Sequence, residues 1–362
     1  MILIAGGGPA GSLSALLLGK ENDVLLVEEH QSSGFPVQCA GLISDRCFES
    51  YSKYCRIKKA LENEIKGAFF FSPLGNFFSA PGKAYVIERK VFDEILFSKA
   101  SEVANVVLKS KVKFNGLKPV VNGREIPAEY IIGADGVNSE VAKAFGFKRP
   151  EILTAVQFEV KFEAIDENFV EIYLGRAYSD LFAYAVPLGD TARVGVIAKT
   201  NAIRHLRNLL EKHPSVSRRF KGSILELNSG LIPLELVEFV RGNVALIGDS
   251  AGMVKPHTGG GLYYLLVAAE KLAEAFPNLE SYRREFLKEI GKEINLGYRI
   301  RRIYGLKDSE IESIVEALKD FDFSGIHMDR PSTTLSPAVF FRIMKVLLSD
   351  PSLIKVALKI LA

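Results

Sequence analysis

Gly6-Gly7-Gly8-Pro9-Ala10-Gly11 lies between an apolar run, Ile2 to Ala5, and a stretch rich in Ala and Leu that reaches about Gly19. No other feature of the chain restricts its fold as much. The apolar run reads as a buried strand, the Ala/Leu stretch as a helix, and Val24 to Val27 as a second strand, which together make a βαβ unit. Within the turn, Gly6 permits the tight reversal, Gly8 lets the backbone approach a pyrophosphate, and Gly11 allows close packing of helix on strand. Pro9 and Ala10 open the helix, whose N-terminus then faces the phosphates. Glu28 ends the second strand about 20 residues after Gly8, where an acid accepts hydrogen bonds from both hydroxyls of an adenosine ribose. An acid there repels a 2′-phosphate, so FAD or NAD is expected in preference to NADP. The neighbouring Glu29 is the alternative acid, although one residue later its side chain is expected on the other face of the strand.

With 362 residues, 48% of them hydrophobic, the chain can bury a large core and is long enough for about two or three domains. Lys and Arg number 46 against 43 Asp and Glu. That excess is too small to imply a nucleic-acid surface without a concentrated basic patch. Cys39, Cys47 and Cys55 form no CxxC pair and have no His-rich partner segment, so neither a zinc site nor a disulfide framework is indicated. A reducing, cytoplasmic setting follows as the expectation. With the first strand beginning at Ile2, no secretory signal is expected, and no apolar run approaches the length of a membrane span.

The fold expected is α/β with an antiparallel second sheet. Residues from about Glu29 to Cys55 show no clear strand periodicity. Phe69-Phe70-Phe71, Phe77-Phe78 and Tyr85-Val86-Ile87 read as strands, and Arg89 to about Glu102 as a helix. Asn122-Gly123 signals a hairpin, and Gly189-Asp190 marks a turn between Phe182 to Val186 and Ala192 to Ile197. We expect a discontinuous Rossmann-like nucleotide domain from 1–66, 103–150 and 235–285. A sheet-rich substrate domain is expected from 67–102 and 151–234, with a helical C-terminal region over 286–362.

Two further segments select the dinucleotide. Ile131-Ile132-Gly133-Ala134-Asp135-Gly136 resembles the Asp-Gly motif of the FAD-dependent aromatic-hydroxylase superfamily, and Ala245-Leu246-Ile247-Gly248-Asp249-Ser250 resembles its Gly-Asp motif. The resemblance implies FAD, with Asp135 and Gly136 at the cofactor and Asp249 accepting hydrogen bonds from the ribityl chain, which NAD lacks. Arg89, in Glu88-Arg89-Lys90-Val91-Phe92-Asp93, resembles the superfamily's Arg-x-x-x-Phe-Asp segment, whose arginine lies near the flavin; an ordinary solvent-facing arginine at a helix start is the alternative. Gly259, Gly260, Gly261 and Leu262 then lead into a helix, and a helix N-terminus aimed at the flavin pyrimidine stabilises negative charge on N1 and O2 of the reduced ring.

The hydroxylases continue this loop as Gly-Gln-Gly-x-Asn, followed by an Asp-Ala pair. Here the run is Gly259-Gly260-Gly261-Leu262-Tyr263 with Ala268-Ala269 beyond it, so the Asn and the Asp are both missing. It is similar instead to the Gly-Gly-Ile-Tyr-Tyr form of the geranylgeranyl reductase family. Pro36-Val37-Gln38-Cys39-Ala40-Gly41 resembles that family's Pro-x-x-Cys-x-Gly loop. Phe182-Ala183-Tyr184-Ala185-Val186-Pro187 is a degenerate match to its Tyr-x-Trp-x-Phe-Pro signature, in a chain without Trp.

The resemblance implies a flavin reductase of isoprenoid C=C bonds, of the archaeal ether-lipid branch. A hydride goes to one alkene carbon and a proton to the other, and no metal is needed. Cys39 and Ala40 are expected at the flavin edge, with Cys39 either the proton donor or a small buried hydrophobe. Phe182, Tyr184, His257 and Tyr263 are the candidate substrate contacts, and alternate aromatics on a strand serve equally well as core. The partners implied are a prenylated lipid and an external electron donor, whether ferredoxin, NAD(P)H or a deazaflavin. A flavin monooxygenase of an aromatic or polyketide substrate is the alternative. The stretch Pro337 to Ala362 is basic and amphipathic, broken near Asp350-Pro351. It suits either a peripheral membrane contact or packing on the protein itself, and packing is the expectation.

Overall fold

The computed structural model describes residues 1–36 and 39–361. Val37 and Gln38, within the Pro-x-x-Cys-x-Gly loop, lie outside the described residues. Strand β1 (Ile2–Ala5) is buried throughout, as four consecutive apolar residues require of a strand covered on both faces. It is central to a six-stranded sheet ordered Val240–Arg241, Val244–Leu246, Tyr130–Gly133, β1, β2 (Val24–Val27) and Asn105–Val107. All neighbours pair in parallel except Val240–Arg241, which closes one edge as a short hairpin. Helix α1 (Pro9–Leu18) starts at a proline whose missing N–H has no helical partner to lose, and it packs against helices Arg89–Ser101 and Leu262–Ala275.

The second sheet has eight strands. Its order is Phe220–Pro233, Ile152–Phe162, Thr191–Ala198, Ala183–Leu188, Phe169–Tyr173, Leu61–Phe71, Phe77–Ile87 and Leu42–Ser44. Pairing is antiparallel except between Phe169–Tyr173 and Leu61–Phe71. One face buries Leu206, Leu209 and Leu210 of helix Ala202–Lys212. The opposite face meets the C-terminal helices through Leu306, Ile311, Val315 and Val356. The expected hairpin at Asn122-Gly123 joins Lys118–Val121 to Arg124–Glu125, and both turn residues have positive φ, 50° and 79°, as a primed turn demands.

Three elements divide the chain differently from the sequence reading. Leu42–Ser44, in a segment expected to lack strands, pairs with Phe77–Ile87 as the edge of the large sheet. Three residues are too few to show a period, and the partner strand determines their conformation. The strand Leu61–Phe71 begins before residue 67. Helix Arg89–Ser101, assigned by sequence to the substrate layer, sends Phe92, Leu96 and Ala100 into the nucleotide-domain core. The break at Asp350-Pro351 separates helices Pro337–Ser349 and Ser352–Leu361 as expected.

A buried charge pair fastens the large sheet to the turn after helix Ala202–Lys212. Glu171 is 0% exposed, and Arg219 reaches its two carboxylate oxygens at 2.6 Å each while the Tyr173 hydroxyl also donates to it. Arg219→Met leaves that carboxylate buried and unpaired, which should cost about 3–5 kcal/mol of stability, read as a lower urea midpoint. The double variant Glu171→Gln/Arg219→Met should recover much of the loss, and equal destabilisation of both proteins would refute this account.

Candidate active site

The glycine turn is built from close backbone approaches. A Cβ on Gly6, whose φ is +97°, would sit 2.4 Å from the Ala134 carbonyl oxygen, and one on Gly11 would sit 1.8 Å from that of Gly6. A Cβ on Gly8 would meet nothing within 4 Å, because Gly8 borders an open cavity. That empty cradle fits a pyrophosphate held by the first amides of α1. Ala10 is buried against Gly248, so the turn and the Gly-Asp motif support one another.

Glu28 stands beside the turn and is held there. Its Oε2 accepts the Gly7 backbone N–H at 2.6 Å, and its Oε1 lies 2.8 Å from the His30 amide and 2.7 Å from His30 Nδ1. Ser33 donates to the Gly7 carbonyl at 2.7 Å. Neither His30 nor Ser33 belongs to a recognisable pattern, so sequence reading missed both. Glu29 turns instead to Lys111 at 3.2 Å.

The cavity has a volume of about 530 Å³, and Gly6, Gly8, Glu28, Asp135, Gly136 and Asp249 are among the residues that line it. Asp135 Oδ2 accepts the Glu140 and Val141 amides at 2.7 and 3.2 Å, while Oδ1 is buried with no hydrogen-bond partner among the described residues. A buried carboxylate oxygen with nothing to accept from is unusual in a folded protein and is suited to a ligand hydroxyl or a bound water. Asp249 faces the same cavity, and its carboxylate accepts no hydrogen bond from the described residues, while its backbone carbonyl takes the Gly252 amide at 3.1 Å. Burial pushes its pKa up to about 6, with the Arg89 charge opposing part of the rise. A Cβ on Gly261 would lie 3.5 Å from Asp249 Oδ1, which sets the glycine loop directly against this acid. These features fit FAD: phosphates at Gly8, ribose at Glu28, and further hydroxyls at Asp135 and Asp249.

Behind the loop, the Lys255 amide donates to the Gly260 carbonyl at 3.0 Å and the Gly259 amide to the Lys255 carbonyl at 2.8 Å. The Lys255 ammonium is buried and meets Asp329 at 2.7 Å. Burial alone would raise the Asp329 carboxyl, but Lys255 and the Ser44 hydroxyl, which donates to it, hold it below its ordinary value. Sequence reading missed this triad, whose members come from three distant segments.

Beyond the cavity, Arg89 binds Asp93 through two hydrogen bonds of 2.9 and 3.0 Å and also faces the Cys39 thiol. Cys39 is half-buried, and its sulfur accepts the Gly41 amide at 3.4 Å. Gln157 donates to the Cys39 carbonyl at 3.2 Å and accepts from the Tyr184 hydroxyl at 2.9 Å, while the Ala40 carbonyl accepts from Arg193 at 3.1 Å. The ring of Phe182 lies 6.2 Å from Tyr184 and 5.8 Å from Tyr304, whose hydroxyl donates to the His257 carbonyl at 2.8 Å. Tyr304 was not anticipated, since it comes from a turn of the helical region with no motif around it.

Cys39, Arg89 and Tyr184 are thus brought together. Tyr263 is not with them: it is buried in the nucleotide-domain core with its hydroxyl 3.4 Å from Arg330. His257 is buried beside Gly297, and burial and the neighbouring Lys255 depress its pKa to about 4.

Comparison with known proteins bears on family and fold. Residues 109–264 match the family model described as FAD binding domain. An uncharacterised protein of Methanocaldococcus jannaschii is 33% identical over 89% of this chain and 88% of its own. Digeranylgeranylglycerophospholipid reductase 1 of Methanothermobacter thermautotrophicus is 30% identical over 90% of this chain and 92% of its own. Among solved structures, a geranylgeranyl bacteriochlorophyll reductase-like protein of Thermoplasma acidophilum superposes with a TM-score of 0.79 at 23% identity, covering 95% of this chain and 98% of that one. This last likeness speaks for the fold alone.

The raised Asp249 predicts a pH dependence of FAD binding. If the ionised carboxylate is the form that accepts ligand hydroxyls, affinity should weaken as pH falls through about 6, by at most about tenfold per pH unit. In flavin-free protein the sign is opposite: stability owed to the raised pKa is present below the unfolded value of about 3.9 and lost as pH rises through about 6. Asp249→Asn should weaken FAD binding at pH 8 and flatten its dependence on pH, and flavin titration of both proteins across that range checks both effects.

Proposed function

The chain belongs to the geranylgeranyl reductase family, which includes the digeranylgeranylglycerophospholipid reductases, and from that premise we propose that it reduces isoprenoid C=C bonds of a geranylgeranyl lipid with FAD. The observation that carries this reading is a junction. Arg89 joins Asp93, which lines the cavity with the flavin motifs, to the Cys39 thiol, and Gln157 joins the Cys39 carbonyl to Tyr184, whose ring leads on to Phe182 and Tyr304. FAD, when bound and reduced, supplies the hydride that adds to one carbon of the double bond.

The chain's own residues have the remaining tasks. Gly8, Glu28, Asp135 and Asp249 hold the cofactor. Cys39 Sγ is the proposed source of the proton that goes to the second alkene carbon. Arg89, beside the thiol, stabilises the thiolate left behind, and Asp93 fixes the guanidinium in place. His257 is unsuited to that task, because its depressed pKa keeps it neutral near pH 7. Phe182, Tyr184 and Tyr304 present an apolar aromatic surface to a prenyl chain, and Gln157 fixes the Tyr184 ring. An alkene develops little charge for a side chain to stabilise, so positioning and exclusion of water carry most of the catalysis.

Each saturated bond takes up one hydride and one proton. The two electrons come from an external donor, with ferredoxin, NAD(P)H and a deazaflavin the candidate classes. A lipid substrate also brings the enzyme to a bilayer. None of the described helices is long and apolar enough to cross one, and we infer peripheral contact.

Dithionite-reduced enzyme should be reoxidised anaerobically by a geranylgeranyl lipid, with product mass rising by one H2 per bond. Cys39→Ala should retain its flavin while this reoxidation slows at least about tenfold, within the range ascribed to a positioned acid. An unchanged rate would remove Cys39 from proton delivery. NADPH oxidation that yields peroxide or a hydroxylated product would instead favour a monooxygenase.

A further inference from the structure

The last two helices bury one side and bare the other. Val339, Leu353 and Val356 are buried, whereas Phe341 is 72% exposed, Leu348 71% and Leu358 60%. Phe341, Lys345 and Leu348 follow the i, i+4, i+7 spacing of a single stripe on helix Pro337–Ser349. Ile354 and Leu358 are likewise aligned on Ser352–Leu361, with Lys355 and Lys359 beside them. Soluble proteins seldom leave so much contiguous apolar surface uncovered without a partner for it.

Charge narrows the choice of partner. From 337 to 361 the cations are Arg342, Lys345, Lys355 and Lys359, and the sole acid is Asp350. Arg342 is engaged by Asp322 and Lys359 by Glu310. Lys345 and Lys355 form no ion pair with the described residues, and they stand among the exposed apolar side chains. A second copy docked here by two-fold symmetry would bring like charges together across an apolar contact, which is unfavourable. An anionic lipid surface would take up both features at once: acyl chains for Phe341, Leu348 and Leu358, and phosphates for the lysines.

We propose that the exposed face of helices Pro337–Ser349 and Ser352–Leu361 is a peripheral docking surface for an anionic lipid bilayer. The helices have 13 and 10 residues, about 20 and 15 Å of length, so they can lie in the interface and cannot span a hydrocarbon core of about 30 Å. Their inner side is continuous with the substrate layer. Val356 and Ile360 belong to the same apolar cluster as Phe182, Tyr184 and Tyr304. The link from docking to substrate supply rests on the lipid-reductase reading, whereas the docking itself does not.

Flotation of the FAD-loaded protein with vesicles tests the surface directly. Binding is expected to vesicles of phosphatidylcholine mixed with phosphatidylglycerol, to be at least tenfold weaker to phosphatidylcholine alone, and to fall as salt is raised. Phe341→Ser/Leu348→Ser and, separately, Lys345→Glu/Lys355→Glu should each lower binding at least tenfold while flavin content, thermal midpoint and turnover of a detergent-dispersed geranylgeranyl substrate stay as in the parent. Variants that float like the parent would overturn the proposal. So would equal binding to neutral and anionic vesicles, or a parent dimer that ignores vesicles and dissociates on Phe341→Ser/Leu348→Ser. Flotation without reduction of any geranylgeranyl lipid would sink the reductase reading and leave the docking surface standing.

Discussion

The backbone of Gly6 passes so close to Ala134 and Gly11 that no side chain fits at either glycine, and the nucleotide half of the molecule is arranged around that approach. It lets α1 start directly at the end of β1, so that amide groups and cavity share one point. Ala134 also leads into Asp135, whose carboxylate is aimed by the amides of Glu140 and Val141. Gly248, pressed on Ala10, brings Asp249 to the same cavity. Residues scattered over most of the chain converge because four neighbouring strand ends, those of β1, β2, Tyr130–Gly133 and Val244–Leu246, carry them.

This explains which parts were legible in the sequence. The glycine turn, Glu28, Asp135 and Asp249 each depend on local backbone geometry at a strand end, which short motifs record. The hairpin at Asn122-Gly123 is legible for the same reason. Lys255, Asp329 and Ser44 meet only after folding, and no spacing rule joins positions that far apart. Tyr304 reaches Phe182 across an interface between helical region and sheet, again without a local signature. Tyr263 was grouped with the substrate contacts from its neighbourhood to the loop, but the helix turns its ring into the core beside Arg330. Leu42–Ser44 and the division near residue 67 were obscured because the chain crosses between sheets several times, and composition does not shift at each crossing.

The aromatic cluster contributes in two ways. Phe182 and Tyr184 are buried, as core residues on a strand would be, and Tyr184 also adjoins the Cys39 loop through Gln157. On the proposed reading such a wall gains from being part of the core, because its rotamers are held by packing whether or not a lipid is present. The helical region closes that wall through Tyr304 and continues outward into the amphipathic tail.

The buried pair of Lys255 with Asp329 has a consequence for the order in which the protein can be made. A ribosome releases β1, the glycine turn and Glu28 early, yet the lysine behind the flavin loop gains its counter-charge only after residue 329 has emerged. A nascent chain therefore carries the ribose and phosphate contacts long before the loop is secured. A truncation before Asp329 would leave the Lys255 ammonium behind the loop without its counter-charge.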